Sequence, residues 1–183
     1  SDLEAIAANP SDVAPDLLVG DGGRLVFTEA GALETAETVA PGTGGDDDIA
    51  TGEGGDVALG GDGNDRIVMG GTGDADVALG DNGLAVFDPA LPESLLRRLE
   101  TTAPLIGGDD EIVTGGGPDV VVAGFGADLI LAGGADDAVD RVFGDGAILG
   151  FDAAGALVSA EAVGSGAAGD DIIAVGLGPD VVI

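Results

Sequence analysis

Short apolar stretches recur along the chain, each introduced by glycines and an aspartate. In Gly61-x-Gly63-x-Asp65 the glycines stand four and two residues before the aspartate, and the aliphatic Ile67 follows it by two. Glycine permits the positive φ angles of sharp turns, and a brief run of aliphatic residues favours a buried strand. The pattern therefore predicts many short strands joined by tight turns, which is an all-β fold.

The aspartates of this pattern recur at intervals of nine residues within three blocks of the chain. The second residue after each is usually aliphatic, but after Asp74 that position holds Asp76. A fixed short period is typical of repeat architectures. The periodic aspartates are Asp47, Asp56, Asp65, Asp74, Asp110, Asp119, Asp128, Asp137, Asp171 and Asp180, and the best-matching turn glycines are Gly52, Gly54, Gly61, Gly63, Gly115, Gly117, Gly124 and Gly126.

A longer repeat of roughly 60 residues encloses the short one. Asp21, Asp81 and Asp145 occupy equivalent positions in it, and each is followed six residues later by phenylalanine. This period divides the chain into an N-terminal segment (1–19) and three units. Unit 1 (20–80) has a hairpin at 20–41 and a repeat block at 42–80. Unit 2 (81–144) has a hairpin at 81–104 and a block at 105–144, and the truncated unit 3 (145–183) has a hairpin at 145–165 and a block at 166–183.

The segments between the blocks have the pattern of β-hairpins. Residues 146–152 and 156–163 are apolar stretches on either side of Ala153-Ala154-Gly155, which reads as strand, turn, strand. Residues 25–39 repeat this pattern. In the middle copy, 92–100 is compatible with a short helix, but the two sister copies favour a strand. At the N-terminus, Ser1-Asp2-Leu3-Glu4 resembles a helix capping box, so a short helix is an option there.

Composition excludes several kinds of function. The chain has 35 acidic residues and 5 basic ones, a formal net charge of −30, so nucleic acid and anionic membrane surfaces are not expected partners. No apolar run approaches the roughly 18 residues of a membrane span. The absence of cysteine and histidine removes disulfides and the ligands that zinc prefers. Because 45% of the residues are hydrophobic, we expect a folded chain whose acidic groups need compensating cations.

The nonapeptide G-x-G-x-D-x-U-x-x resembles the calcium-binding repeat of the RTX, or hemolysin-type, family. The resemblance covers about residues 42–80, 105–144 and 166–183. It implies a parallel β-roll with hairpins inserted between the nonapeptide blocks, in which several Ca²⁺ ions lie between paired turns and are held by aspartates and turn carbonyls. It also implies a protein exported by a type I route that acts outside the cell or at its surface as an adhesin stalk or similar scaffold.

The spacing itself also favours calcium. Two nonapeptides complete one coil, so residues 18 apart stack about one strand spacing (~4.8 Å) apart, and stacked carboxylates repel each other without a cation. Calcium accepts carboxylate and backbone carbonyl oxygens together, whereas magnesium requires stricter octahedral geometry. The predicted metal ligands are the ten aspartates and eight glycines named above. The predicted stacks are Asp47 with Asp65, Asp56 with Asp74, Asp110 with Asp128, and Asp119 with Asp137; Asp171 and Asp180 have no later coil.

Other acidic residues have less specific expectations. The turn at Gly70-Gly71-Thr72-Gly73 is one residue out of step, and Ala135 replaces a glycine before Asp137, so these two sites depart from the consensus. Asp21, Asp81 and Asp145 are expected either to cap a neighbouring site or to serve as plain turn residues. Surface charge is expected for Asp46, Asp48, Asp62, Asp109, Asp136 and Asp170.

No set of residues in the chain predicts catalysis. Every well-placed aspartate belongs to the repeat, and histidine- or cysteine-based catalysis is not available. The chain is therefore predicted not to be an enzyme, with neighbouring repeats of a parent chain as partners. The alternatives are a repeat region attached to a secreted enzyme, or a flat face that binds a cell-surface ligand, a polysaccharide or ice. The last would use a rank of outward threonines, for which Thr51 and Thr114 are the only matched pair.

Overall fold

The computed structural model describes residues 13–90, 95–164 and 169–183, and the backbone of 4–7. Its described residues form eighteen β-strands and no helix, and none of them forms a helix able to cross a membrane. The strands are β1 (Glu4–Ala7), β2 (Leu17–Val19), β3 (Gly23–Phe27), β4 (Leu33–Thr38), β5 (Asp47–Ala50), β6 (Val57–Gly61), β7 (Arg66–Val68), β8 (Val77–Asp81), β9 (Gly83–Asp88), β10 (Leu95–Thr101), β11 (Glu111–Val113), β12 (Val120–Gly124), β13 (Leu129–Ala132), β14 (Arg141–Asp145), β15 (Ala147–Phe151), β16 (Leu157–Ala162), β17 (Ile172–Val175) and β18 (Val181–Val182).

Two six-stranded parallel sheets are built from the repeat blocks. The outer sheet has the order β1-β5-β7-β11-β13-β17, and the middle sheet has the order β18-β14-β12-β8-β6-β2. Apart from the inserted hairpins, the chain passes alternately from one sheet to the other, and each outer strand with the following middle strand is called a coil below. All described pairings within these two sheets are parallel.

The segments between the blocks form a third sheet, which is antiparallel. Each contributes one hairpin, β3–β4, β9–β10 or β15–β16, and the hairpins join edge to edge in the order β16-β15-β10-β9-β4-β3. This hairpin sheet is continuous because β4 pairs with β9 and β10 pairs with β15. The strand expected in the middle copy is confirmed over Leu95–Thr101.

Two layers of core separate the three sheets. Ile67 and Ile112 of the outer sheet pack with Ala78 and Val121 of the middle sheet. On its other face the middle sheet packs against the hairpin sheet through side chains such as Leu79. The middle strands β6, β8 and β12 are therefore buried along their whole length.

The N-terminal segment contains a strand where a helix was the option. Residues Glu4–Ala7 form β1, which pairs in parallel with β5. This pairing with β5 adds β1 to the edge of the outer sheet, and it outweighs the local capping-box signal. Residues 1–3, which carry most of that signal, lie outside the described part of the chain.

Equivalent phenylalanines of the three hairpins differ in burial, which gives a matched test of the layer arrangement. Phe87 is 7% exposed and Phe151 6%, whereas Phe27 on the edge strand β3 is 50% exposed. We expect Phe87→Ala to lower the free energy of unfolding by about 3–5 kcal/mol, since it leaves a cavity between two sheets. Phe27→Ala should cost less than about 1 kcal/mol. Equal losses in urea unfolding of the two variants would contradict the packing of the hairpin sheet.

Candidate metal centre

One row of aspartates leads into the outer sheet, each at or just before the first residue of its strand. The backbone N–H of each donates to Oδ1 of the aspartate in the next coil over 2.8–3.0 Å, as far as the last member. The predicted stacks of Asp47 with Asp65 and of Asp110 with Asp128 are present in this arrangement. The N–H of Asp65 donates in the same way to Asp110, although the second hairpin lies between these two residues in the sequence. This outer ladder consists of Asp47, Asp65, Asp110, Asp128 and Asp171.

A second row leads into the middle sheet and uses the same hydrogen bond, over 2.8–3.1 Å. In this row the N–H of Asp56 donates to Asp76, and the N–H of Asp119 donates to Asp140. The predicted stacks of Asp56 with Asp74 and of Asp119 with Asp137 were therefore wrong, since Asp74 and Asp137 are exposed turn residues. This middle ladder consists of Asp16, Asp56, Asp76, Asp119, Asp140 and Asp180.

Unequal turn lengths explain the two errors. The turns that end at Asp56 and Asp119 keep the nine-residue spacing, whereas those that end at Asp76 and Asp140 are longer, so a strict count stops early at Asp74 and Asp137. The sequence contains a signal for the true members. Ala78 and Val142 stand two residues after Asp76 and Asp140 and are fully buried, as the aliphatic rule requires. Leu18 stands two residues after Asp16 and is also buried, so the same rule identifies Asp16, which the sequence reasoning missed as well.

The second carboxylate oxygen of several ladder residues is buried without a partner. Oδ2 of Asp65, Asp76, Asp110 and Asp128 has no hydrogen-bond donor among the described residues. Burial, together with the negative charge of neighbouring aspartates, raises the pKa of Asp110 to about 10, of Asp65 and Asp76 to about 8, and of Asp128 to about 7. A buried carboxylate is costly unless a proton or a cation neutralises it.

Backbone carbonyls face these unpartnered oxygens in the outer ladder. A methyl group placed on Gly60 would lie 2.2 Å from Oδ2 of Asp65 and 2.2 Å from the carbonyl oxygen of Gly80. One placed on Gly80 would lie 2.1 Å from Oδ2 of Asp110 and 2.5 Å from the carbonyl oxygen of Ala123. Each carboxylate oxygen and a carbonyl oxygen of its own coil thus lie near the same glycine of the preceding coil. A carbonyl accepts but does not donate, so it offers the carboxylate no hydrogen bond, and only a proton or a cation would neutralise the charge there.

The turn glycines have the conformation for which the sequence pattern selected them. Gly54, Gly61, Gly63, Gly117, Gly124 and Gly126 all have φ between 115° and 146°. Gly52 and Gly115 are not among the positive-φ glycines but lie at the start of turns between the outer and middle sheets. A side chain at any of the six would strain the backbone, so the turns depend on glycine.

Two aspartates at the start of hairpins, Asp21 and Asp81, accept hydrogen bonds from turns beside the outer ladder. Asp81 is fully buried and accepts hydrogen bonds from the backbone N–H groups of Gly108, at 3.1 Å, and Phe125. Asp21 holds the preceding turn in the same way, by accepting from Gly45 and Asp62. Burial nevertheless raises the pKa of Asp81 to about 7. Of the two roles expected for these residues, the hydrogen bonds of Asp21 and Asp81 support the plain turn role.

Asp62 is the one acidic residue for which the expectation of surface charge was wrong. Its side chain is 7% exposed and accepts hydrogen bonds from the backbone N–H of Gly44 and the side-chain amide of Asn82. Burial raises the pKa of Asp62, but these bonds and one from the N–H of Gly42 outweigh it and leave the pKa below its usual range. Asp62 thus has hydrogen-bond donors for its charged form, unlike Oδ2 of Asp65, Asp76, Asp110 and Asp128.

The remaining acidic residues are more accessible. Asp48 forms a solvent-exposed ion pair with Arg66, whose guanidinium also reaches Glu111 at 3.5 Å. Asp109 is exposed and accepts a hydrogen bond from the N–H of Ala127. Of the other residues expected to be surface charge, Asp46 and Asp136 are half-buried turn residues and Asp170 is exposed. Asp145, expected either to cap a site or to be a plain turn residue, is also exposed.

The ladders fit calcium better than other common metals. No three acidic side chains of the described residues gather around one point, so any cation there would need backbone oxygens as well. Calcium takes roughly six to eight oxygens and accepts carbonyls alongside carboxylates. Histidine and cysteine, which zinc prefers, are absent from the chain. The outer ladder offers oxygen ligands of both kinds, the unpartnered Oδ2 of Asp65 and Asp110 and the backbone carbonyls of Gly80 and Ala123.

No protein-family model, no curated protein and no solved structure matches this chain. Its function is therefore inferred from its own residues. The pair Thr51 and Thr114 is not an outward rank, because these side chains are only 7% and 4% exposed. Their hydroxyls instead lie beside Asp56 and Asp119, where they oppose the rise in pKa that burial causes.

Proposed function

We propose that this chain is a calcium-binding parallel β-roll of the RTX kind, a structural module of a secreted repeat protein and not an enzyme. The observation that carries the proposal is the buried carboxylate oxygen Oδ2 of Asp65, Asp110 and Asp128 in the outer ladder, which has no donor among the described residues. In Asp65 and Asp110 this oxygen and a backbone carbonyl lie near the same glycine of the preceding coil. Stacked anions at this spacing are stable only with a counter-charge, and calcium matches the oxygen ligands on offer.

Calcium would act on folding through these residues. Without it, the folded chain must either hold protons on Asp65, Asp76 and Asp110 or bury their charges unpaired, and a net charge of −30 opposes compaction. Because the ladders form only when coils stack, metal binding and folding are coupled. Extracellular modules commonly bind calcium at about 10⁻⁴–10⁻³ M, so the sites would fill outside the cell and stay empty inside it.

This coupling gives the role that we propose. A chain that is unfolded during export, by a type I route, would fold at its destination and form a rod of regular coils. Such a rod suits an adhesin stalk or a similar scaffold that separates other parts of a parent protein. A repeat region attached to a secreted enzyme would use the same coupling of calcium binding to folding. Because Thr51 and Thr114 are buried, they give no support to ice binding.

A calcium titration followed by far-UV circular dichroism tests the proposal. We expect a cooperative transition from a largely unfolded spectrum to a β-rich one as calcium rises through about 10⁻⁴–10⁻³ M, with reversal by EGTA. Magnesium at the same concentrations is the matched control and should leave the chain largely unfolded, since it dehydrates reluctantly and demands octahedral geometry.

A spectrum that is β-rich in EGTA and indifferent to calcium at neutral pH would overturn the folding switch. Isothermal titration calorimetry of that folded sample would then decide whether calcium binds at all. No measurable binding would remove calcium from the proposed function altogether.

A further inference from the structure

A row of residues near the ends of the middle strands lies beside the outer ladder, and alanine replaces glycine at one of its positions. The parallel pairing sets Leu59 beside Leu79 and Leu79 beside Val122, so the residues that follow them also lie side by side. Each member of the row precedes the turn or the hairpin that leads to an aspartate of the outer ladder. The row consists of Gly20, Gly60, Gly80, Ala123 and Gly144.

The carboxylates of the ladder occupy the space that the glycines of this row leave open. A methyl group built on Gly20, Gly60, Gly80 or Gly144 would lie 2.1–2.2 Å from Oδ2 of the ladder aspartate that follows it. Contacts shorter than 3.0 Å are essentially absent at real Cβ atoms. None of these four positions therefore accepts a side chain while the carboxylate stays in place.

Ala123 puts a methyl group at the equivalent position, next to the turn that leads to Asp128. The backbone fixes the direction of a Cβ atom, and Ala123 continues the row of Gly80 in the same parallel pairing. Ala123 is fully buried, so its neighbours pack directly against the methyl group. Oδ2 of Asp128 therefore cannot lie where Oδ2 of Asp65 or Asp110 lies.

At the glycine positions a carboxylate oxygen and a carbonyl oxygen converge. Oδ2 of Asp65 and the carbonyl oxygen of Gly80 both lie 2.2 Å from the methyl position of Gly60. Calcium binds oxygens at about 2.3–2.6 Å, so one ion contacts two oxygens only when they lie within about twice that distance of each other. These two oxygens meet that condition. So do Oδ2 of Asp110 and the carbonyl oxygen of Ala123, at 2.1 and 2.5 Å from the methyl position of Gly80.

We infer that Ala123 removes one calcium site from the outer ladder, so that ions lie beside Asp65 and Asp110 but not beside Asp128. The inference rests on the proposed calcium binding and specifies which turns carry it out. The space in which oxygens converge beside a glycine, and not the aspartate alone, selects the occupied turns. The nine-residue repeat by itself assigns a site to all three aspartates.

The other parts of a site are present at Asp128. Its Oδ1 accepts the N–H of Asp110, as in the rest of the ladder, and its Oδ2 is buried without a donor among the described residues. Gly144 continues the row in the same coil, at the position that Gly80 has relative to Asp65. Removal of one methyl group should therefore be enough to let a carboxylate and a carbonyl converge there.

Equilibrium dialysis of the full chain against calcium, with the bound metal counted by atomic emission, tests this inference. The calcium concentration is one above which the circular dichroism spectrum of the folded chain no longer changes. Ala123→Gly should bind one more ion per chain than the parent chain. Ala78→Gly is the matched control, since Ala78 is also fully buried in the same core cluster but does not belong to the row. It should bind the same number of ions as the parent chain.

The additional ion should depend on Asp128. In the Ala123→Gly chain, Asp128→Asn should return the number of ions to that of the parent, because asparagine keeps an acceptor for the N–H of Asp110 but carries no charge. A folded Ala123→Gly chain that binds only as many ions as the parent would overturn the inference. An additional ion that survives Asp128→Asn would overturn it as well.

A second pair of variants tests the inference if Ala123→Gly does not fold. In the parent background, Asp110→Asn should reduce the number of ions bound at the calcium concentration that just saturates the parent chain, and Asp128→Asn should not. An equal reduction in both variants would place an ion beside Asp128 and overturn the inference. A parent chain that binds no calcium is a different result, which overturns the proposed function and this inference with it.

Discussion

Asp110→Asn is expected to stabilise the calcium-free chain while it weakens calcium binding. Asparagine keeps an oxygen that can accept the N–H of Asp65, now at 2.8 Å, but it carries no charge. In the parent chain, Oδ2 of Asp110 is buried without a donor beside the carbonyl of Ala123. We expect a larger folded fraction by circular dichroism in EGTA at pH 8, which corresponds to a gain of roughly 1–3 kcal/mol in the free energy of unfolding.

The size of this gain should depend on pH. Burial raises the pKa of Asp110 to about 10 in the folded chain, whereas an unfolded aspartate titrates near pH ~4. The folded state therefore holds a proton that the unfolded state has lost, and the free energy of unfolding falls as pH rises between these values. Asparagine needs no proton, so the advantage of the variant should be small at pH 5 and larger at pH 8.

In the presence of calcium we expect the parent chain to be more stable than the Asp110→Asn variant, the reverse of their order in EGTA. The variant lacks one carboxylate of the proposed site, and calcium affinity depends on ligand charge, so the midpoint of the calcium titration should rise by about tenfold or more. Asp109→Asn is the matched control, since Asp109 is exposed and its bond from Ala127 survives in asparagine. An Asp110→Asn chain with the parent's calcium midpoint would exclude Asp110 as a ligand.

Gly117→Ala is expected to remove most of the folded population. Gly117 is buried, its φ is 125°, and a methyl group there would lie 1.7 Å from the carbonyl oxygen of Asp74. The neighbouring turn cannot yield without moving its own backbone, and the conformation itself is unfavourable for alanine. We expect a loss of about 3 kcal/mol or more, the range of severe backbone effects, measured by urea unfolding in saturating calcium.

Two other glycines separate the two causes of this loss, the positive φ and the close contact with the neighbouring turn. Gly31 also has a positive φ, of 85°, but a methyl group there meets nothing within 4 Å, so Gly31→Ala should cost only the conformational strain of about 1–2 kcal/mol. Gly45 has neither a positive φ nor a close neighbour, and Gly45→Ala should be nearly neutral. Similar losses at Gly117 and Gly31 would show that close coil stacking does not constrain the turn.

Local patterns in the chain predict most of its strands. The residue two positions after a periodic aspartate is usually aliphatic, and Ile49, Ile67, Ile112 and Ile130 are fully buried in one core layer. The outer strand β7 begins with the exposed Arg66, whereas the middle strand β6 begins with three buried apolar residues, Val57-Ala58-Leu59. That difference indicates a sheet covered on both faces, and it is readable without a structure.

The candidate site was predictable only where turns keep their length. Asp47, Asp65, Asp110 and Asp128 follow from counting, because the turns between the two sheets on the hairpin side preserve the register. A nine-residue count does not find Asp76 and Asp140, since the turns before them contain additional residues. The strands that follow these turns keep their places in the middle sheet. Backbone pairing between distant strands sets which aspartate stacks, and a nine-residue count does not contain that information.

The sequence by itself determined the all-β class, the parallel coils, the hairpins and the glycines on which the turns depend, because each follows from local backbone preference and a short period. Only the tertiary structure decided that the hairpins join into one sheet over the middle strands and that the outer ladder runs from Asp65 to Asp110 past an inserted hairpin. It also decided that Asp62 is buried while Asp74 is exposed. These features arise from contacts between residues some 20 to 45 positions apart, where packing and hydrogen bonding between coils outweigh local preference.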